Sequence, residues 1–348
     1  MEEIWRDKET LRLWNSACDP RVPASGSHYV DLDKVALRGP SVIEQLVGTI
    51  ELSTGESCQL VSGFPGVGKS SLLRAVAERL EKEGIRVVTA DVRELDTFDR
   101  VQRIAELAVV IAAGLSDAVE TWLAERGGHP AAASGDRASD GRAWRALTEF
   151  FKKLGLKELA VSGEIETPVL LEATGIPKAK LSIRAALGDK LKEPEFRDRL
   201  RATLQSNPRT VRDEFHAHLA ELRGLVDQEP GRVAFLVDGL EKYTILRDPV
   251  ETTREIAALY SANADWFRVA YCHVVYCVPA LIGVLPSEET RGYDAVLPPM
   301  ACVRLRSSPQ QGAGEGTRCD AGYAALRELL RARGVDERRL FGTHAEDV

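Results

Sequence analysis

Gly63-Phe64-Pro65-Gly66-Val67-Gly68-Lys69-Ser70 sets the tightest limit on how this chain can fold. The spacing G-x-x-x-x-G-K-[ST] is the Walker A or P-loop pattern, and it needs a strand that ends at the first glycine and a helix that begins at the lysine. Both are legible. "SCQLVSG" reads as a short buried strand, and Leu72, Leu73, Val76, Ala77 and Leu80 recur with helical spacing. Glycines open backbone dihedrals closed to other residues, so successive N–H groups can turn inward around phosphate oxygens. The phosphates then sit on a helix N-terminus, where the dipole favours anions. Lys69 is expected to reach the β and γ phosphates of ATP, Ser70 to ligate Mg²⁺ through its hydroxyl, and Ser71 to complete the nucleotide contacts.

A P-loop ATPase also needs an acidic residue at the end of a buried strand to hold the water shell of Mg²⁺. "GRVAFLVDGLEK" supplies it: Val233 to Val237 is the apolar run and Asp238 its terminal carboxylate, the Walker B pattern. Glu241, three positions on, is the candidate for polarising the attacking water, since positioning and electrostatics carry most of phosphoryl-transfer catalysis.

Two further segments read as strands of the same sheet, "IRVVTAD" from Ile85 to Asp91 and "HVVYCV" after the helical stretch "ETTREIAALYSANADWF". A last candidate strand is "ACVRL", Ala301 to Leu305. Strands alternating with helices imply an α/β fold, a parallel sheet with helices on both faces and its ligand at the carboxyl ends of the strands. The apolar run Val269 to Leu285 contains His273 and Pro279 and falls just short of a comfortable membrane span; it reads as a buried central strand entering a proline turn.

The interval between Asp91 and Arg232 is too long for one crossover. It holds a helix near Val101 to Leu115, a small-residue loop, and a helix near Trp144 to Leu154. A strand-like pair follows, "AVSGEIETPVLL" and "KAKLSIR", and then a helical stripe of Val211, Phe215, Leu219, Leu222 and Val226. The expected organisation is an N-terminal arm over 1–35, a P-loop NTPase core over 36–95 and 231–306, and an inserted helical and hairpin region over 96–230. A flexible loop and the start of a helical lid then occupy 307–348.

Composition narrows the setting. The 348 residues suffice for one large domain with insertions or a small second domain, and the net charge of −7 gives no general support for nucleic-acid or membrane binding. The acidic start "MEEIWRDKET" shows no secretory signal, so cytoplasmic placement is the default expectation. Six cysteines form no C-x-x-C pair, and His216 and His218 lie about 200° apart on a helix, so neither set suggests a metal site.

The order "HYVDLDKVALRG", the P-loop segment, "FLVDGLEK", "VVYCVPALI", "LPPMACVRL" and "LRELLRARGVDERRLF" resembles bacterial AAA-type ATPases of the STAND and origin-recognition-like group, over roughly Tyr29 to Phe341. The resemblance implies that Arg38 lies where relatives contact the adenine side of the nucleotide. It supports Glu241 through the D-G-L-[DE] form of Walker B, and it brings Cys277 to the sensor position. Relatives continue into a helical lid, so this chain carries either a minimal lid or a fragment of a longer protein. Arg331 and Arg333 are either arginine fingers for a neighbouring subunit or solvated helix residues.

Three classes of function stay open on sequence. The first is a molecular switch or assembly ATPase acting through a homo-oligomer or protein effector. The second is a nucleic-acid-associated ATPase using the basic face at Lys178, Lys180 and Arg184, and the third is a nucleotide-binding module with little turnover. A GTPase is disfavoured because no N-K-x-D motif is present.

Overall fold

The computed structural model describes residues 7–19, 22–32, 41–92, 103–126, 141–156, 193–241, 249–300, 303, 318–336 and 339. Arg38, the strand-like pair between 160 and 184, and the candidate strand 301–305 apart from Val303 lie outside the described residues. The chain forms two compact units, one of residues 49–63 and 80–299, the other of residues 1–48, 64–79 and 300–348.

The larger unit is built on a sheet of five parallel strands in the order β2-β3-β4-β1-β5. β1 is Ser57–Gly63, β2 Arg86–Asp91, β3 Val233–Asp238, β4 His273–Val278 and β5 Ala295–Met300. Every residue of β1, β3 and β4 is buried, as expected for central strands covered on both faces. This accounts for the membrane-like look of the Val269 to Leu285 run. At the edge, β2 exposes Arg86 and Thr89. The opposite edge strand, β5, reads AVLPPM, and proline, which lacks an N–H, is tolerated at a sheet edge. Those prolines hid β5 from a reading by strand propensity, which favoured the segment just after it.

Register fixes which residues share a face. Val61 pairs with Cys277, Val237 with Tyr276, and Asp91 with Asp238, and residues paired across parallel strands point the same way. One face presents Cys58, Leu60, Val88, Ala90, Phe235, Val237, Val274 and Tyr276 to a helical core. With α1 (Lys8–Ala17), α2 (Val42–Leu52) and α3 (Lys69–Lys82) preceding it, that core is made by α4 (Ile104–Arg126), α5 (Arg142–Lys153), α6 (Pro194–Ser206) and α7 (Pro208–Val226). The helices expected near 101–115 and 144–154 are therefore α4 and α5, and α4 runs eleven residues past its expected end.

Helix α4 is long and apolar enough to cross a membrane by length and composition, but it is packed inside the protein: every residue from Ala105 to Ser116 is buried. Its charged exception, Glu106, pairs with Arg201 of α6 at 3.2 Å. Helix α7 starts at Pro208, capped by the Asn207 side chain, which accepts from the Thr210 N–H at 3.3 Å. Its stripe of Val211, Phe215, Leu219, Leu222 and Val226 is buried as the spacing predicts, with His218 in the same stripe. Helices α8 (Pro249–Ser261) and α9 (Ala264–Phe267) lead into β4. An aromatic cluster fills this corner: Tyr260 stacks on Phe267 at 5.1 Å, Phe267 meets Tyr276 edge-on at 5.2 Å, and the Tyr276 hydroxyl donates to the Phe267 carbonyl. Each such buried ring contributes about 2–3 kcal/mol of transfer free energy before the entropy of ordering is charged against it.

The smaller unit contains α1, a 3-10 turn at Gly26–His28, the loop 64–68, the first eleven residues of α3, and α10 (Asp320–Ala332). Asp7 caps α1, accepting from the Thr10 N–H at 3.1 Å and the Thr10 hydroxyl at 2.7 Å. These bonds, with help from Arg339, hold its carboxyl below the usual range.

Candidate functional site

The glycine loop begins where β1 ends, at Gly63. Gly66 and Gly68 take φ of +82° and +98°, in the left-handed region that other residues enter only with strain, so the loop's shape depends on glycine there. Beyond the flanking residues nothing lies within 4 Å of where a Cβ would stand on either, so it is the backbone conformation and not crowding that calls for glycine. Lys69 opens α3, and its ammonium donates to the Phe64 carbonyl at 3.0 Å while the side chain is nearly buried. The lysine is thus folded into its own loop. The helix is under way at once, with the Leu72 N–H donating to the Gly68 carbonyl at 2.9 Å. Pro65 and Val67 complete the turn, and Phe64 is 62% exposed.

The sequence pattern places Ser71 beside Ser70 as a nucleotide contact. In the structure the Ser71 hydroxyl accepts a hydrogen bond from the Ala24 N–H at 2.9 Å, which leaves its own proton to donate elsewhere. No signal in the sequence links positions so far apart.

Within the larger unit, Gly63 ends β1 and Asp238 ends β3, with β4 between them, so both motifs reach the carboxyl edge of one sheet. Asp238 is buried. Its neighbour in register is Asp91, the half-buried last residue of β2, and the Val92 N–H donates to the Asp238 carbonyl at 3.0 Å. A second carboxylate thus stands beside the Walker B position; strand alternation alone could not show it, because it depends on which strand pairs with which. Glu241 lies on the short 3-10 turn after β3, half-buried, next to the fully buried Leu240. Burial, and after it the charge of Glu241, keeps the Tyr260 hydroxyl protonated far above its ordinary range, which puts the two groups within electrostatic reach.

The other expected positions fall as follows. Cys277 is buried inside β4, in register with Val61 of β1. Arg333 donates to the Ala17 carbonyl of its own chain. Arg331 lines a cleft of about 470 Å³ with Arg318, Tyr323 and Arg327, where the Arg318 guanidinium lies 4.1 Å over the Tyr323 ring. Among the described residues no group of three or more His, Cys, Asp or Glu is placed to hold a metal ion.

The donors present suit ATP with Mg²⁺. One unit holds a glycine turn at a helix start with a lysine and a serine hydroxyl, the other a strand-end carboxylate, and these are the kinds of donor that phosphate and a hard cation take. Strand order, loop and acidic strand end together define an α/β fold of the P-loop NTPase type. Residues 41–162 match the family model described as the AAA ATPase domain, which supports an AAA-type P-loop ATPase at the level of ATP binding and hydrolysis. Searches of curated proteins and of solved structures found no match to this chain.

Proposed function

We propose that this chain binds ATP with Mg²⁺ through Gly63–Ser71 and Asp238, hydrolyses it slowly, and uses the nucleotide state as a switch that governs assembly or a partner effector. The observation that carries the reading is the glycine turn with Lys69 folded into it at the end of β1. Bound phosphate oxygens offer the ammonium a charged acceptor in place of the Phe64 carbonyl, and charge-assisted hydrogen bonds are the stronger kind. Ser70 and Asp238 would hold Mg²⁺, which would neutralise the phosphate charge. Glu241 orients the attacking water and takes up its proton, and the acidic surroundings formed by Asp238 and Asp91 keep that edge of the sheet suited to a cation. Arg38 contributes on the adenine side.

The test is calorimetric titration of Lys69→Ala with ATP and Mg²⁺. Affinity is expected to fall by about 100-fold or more, in line with the loss of a charge-assisted contact worth roughly 3 kcal/mol, while circular dichroism stays unchanged. Unchanged affinity would falsify the Walker A reading.

A further inference from the structure

The segment ahead of the P-loop is bonded at both ends, and its partners are not arbitrary. On one side it grips a single stripe of α3. Ala24 donates to the Ser71 hydroxyl at 2.9 Å, Gly26 donates to the Glu78 carboxylate at 3.2 Å, and Arg74 donates to the Pro23 carbonyl at 3.0 Å. Ser71, Arg74 and Glu78 are spaced i, i+3 and i+7, on the face of α3 that starts immediately after Lys69 and Ser70.

On the other side the same segment satisfies the C-terminal end of α10. A helix leaves its last carbonyls without intrahelical partners. Here the carbonyls of Leu329, Leu330 and Arg331 accept from the chain just past the helix, the His28 Nδ1–H donates to the last one, Ala332, at 2.8 Å, and the Trp14 indole donates to the Gly334 carbonyl two residues beyond the helix at 3.0 Å. Arg333 returns a bond to the Ala17 carbonyl, and Arg339 pairs with Asp7 at 3.1 Å. These groups all belong to the smaller unit.

We infer that the N-terminal arm, described over 7–19 and 22–29, is a tether that carries the nucleotide state of the P-loop to the C-terminal helix α10, with Ser71 as its point of contact. This rests on the ATP reading above and adds to it the route by which the loop is read out. The Ser71 oxygen accepts from Ala24 and has a proton left to donate. A phosphate oxygen that takes that proton polarises the hydroxyl and strengthens the bond from Ala24, as chains of hydrogen bonds do. The arm is then held more firmly on α3, and Trp14 and His28 transmit that order to the end of α10. Loss of nucleotide loosens the same path.

Hydrogen exchange of the full chain, read by mass spectrometry with and without ATP and Mg²⁺, tests the tether. In the wild type, ATP is expected to slow exchange over 64–72, over 22–29 and over 320–334. The slowing at α10 should be about 2- to 10-fold, the change in local opening that one exposed hydrogen bond supplies. In Trp14→Phe with His28→Ala, protection over 64–72 and 22–29 should persist while that over 320–334 disappears. If the double variant has lost its fold by circular dichroism, Arg74→Met with Glu78→Ala, which leaves the arm on α3 by the Ser71 bond alone, must lower the protection over 320–334. Wild-type protection over 64–72 with none over 320–334 overturns the tether and leaves the ATP site standing. Protection over 320–334 that survives in the variants also overturns it. No ATP-dependent change over 64–72 overturns the ATP reading itself, and the tether with it.

Discussion

The acid stability of the helical layer should be set largely by one histidine. Ser116 on α4 donates its only hydroxyl proton to the Ala112 carbonyl at 2.8 Å, so toward His218, 2.9 Å away, it can only accept. The ring is fully buried and stacks on Phe150 at 5.2 Å. Burial disfavours the charged form, and Lys153 adds to it, so the folded pKa drops to about 4 from an ordinary 6.5. Because the folded value is the lower one, His218 leaves stability intact above pH 6.5. As the pH falls toward 4 the unfolded chain takes up a proton that the folded chain refuses, and stability is lost across that window and no further below it. A difference of about 2.5 units corresponds to roughly 3 kcal/mol. His218→Gln keeps a donor at nearly the same place and cannot titrate. Urea unfolding at steps between pH 7 and 4 should show wild type losing about 3 kcal/mol more than this variant, other carboxylates cancelling in the difference. Parallel curves for the two proteins would refute a buried neutral His218.

Three other outcomes are expected. Glu241→Gln should bind ATP but turn it over at least about 100-fold more slowly, as expected when a water-positioning carboxylate is lost, whereas Asp238→Asn should also lose its dependence on Mg²⁺ in a magnesium titration; normal turnover by Glu241→Gln would move that role elsewhere. Gly283→Ala should lower the urea midpoint by the equivalent of about 1–3 kcal/mol, because the new Cβ would stand 2.0 Å from the Ser62 hydroxyl and 2.7 Å from the Leu297 carbonyl. It would also disturb the Ser62 bond to Leu297 one residue before the glycine loop, so an unchanged midpoint would refute this close packing. Basal ATPase activity should be slow and should rise with protein concentration or an added partner, since an arginine supplied by a neighbour is worth about 10³- to 10⁵-fold; fast, concentration-independent turnover by a monomer in light scattering would exclude the assembly switch.

What the sequence determined by itself was local. The dihedrals of Gly66 and Gly68, the start of α3 at Lys69 and the buried runs of β3 and β4 follow from residue types within a few positions of one another, and the structure places them as the pattern implies. The stripe on α7 was readable for the same reason, since helical periodicity is a near-neighbour property. What only the tertiary structure decided was pairing at a distance. Nothing near Pro298 and Pro299 announces a strand; β5 exists because β1 offers it an edge at which missing N–H groups are tolerated. Helix α4 runs on to Arg126, past its expected end, and only Ser116 and Val119 of that extension are buried. Asp91 became a neighbour of Asp238 through the register of β2 on β3, and Ser71 became the anchor of the N-terminal arm through a bond spanning 47 residues. Both are long-range choices, made only when the whole chain buries its apolar faces together.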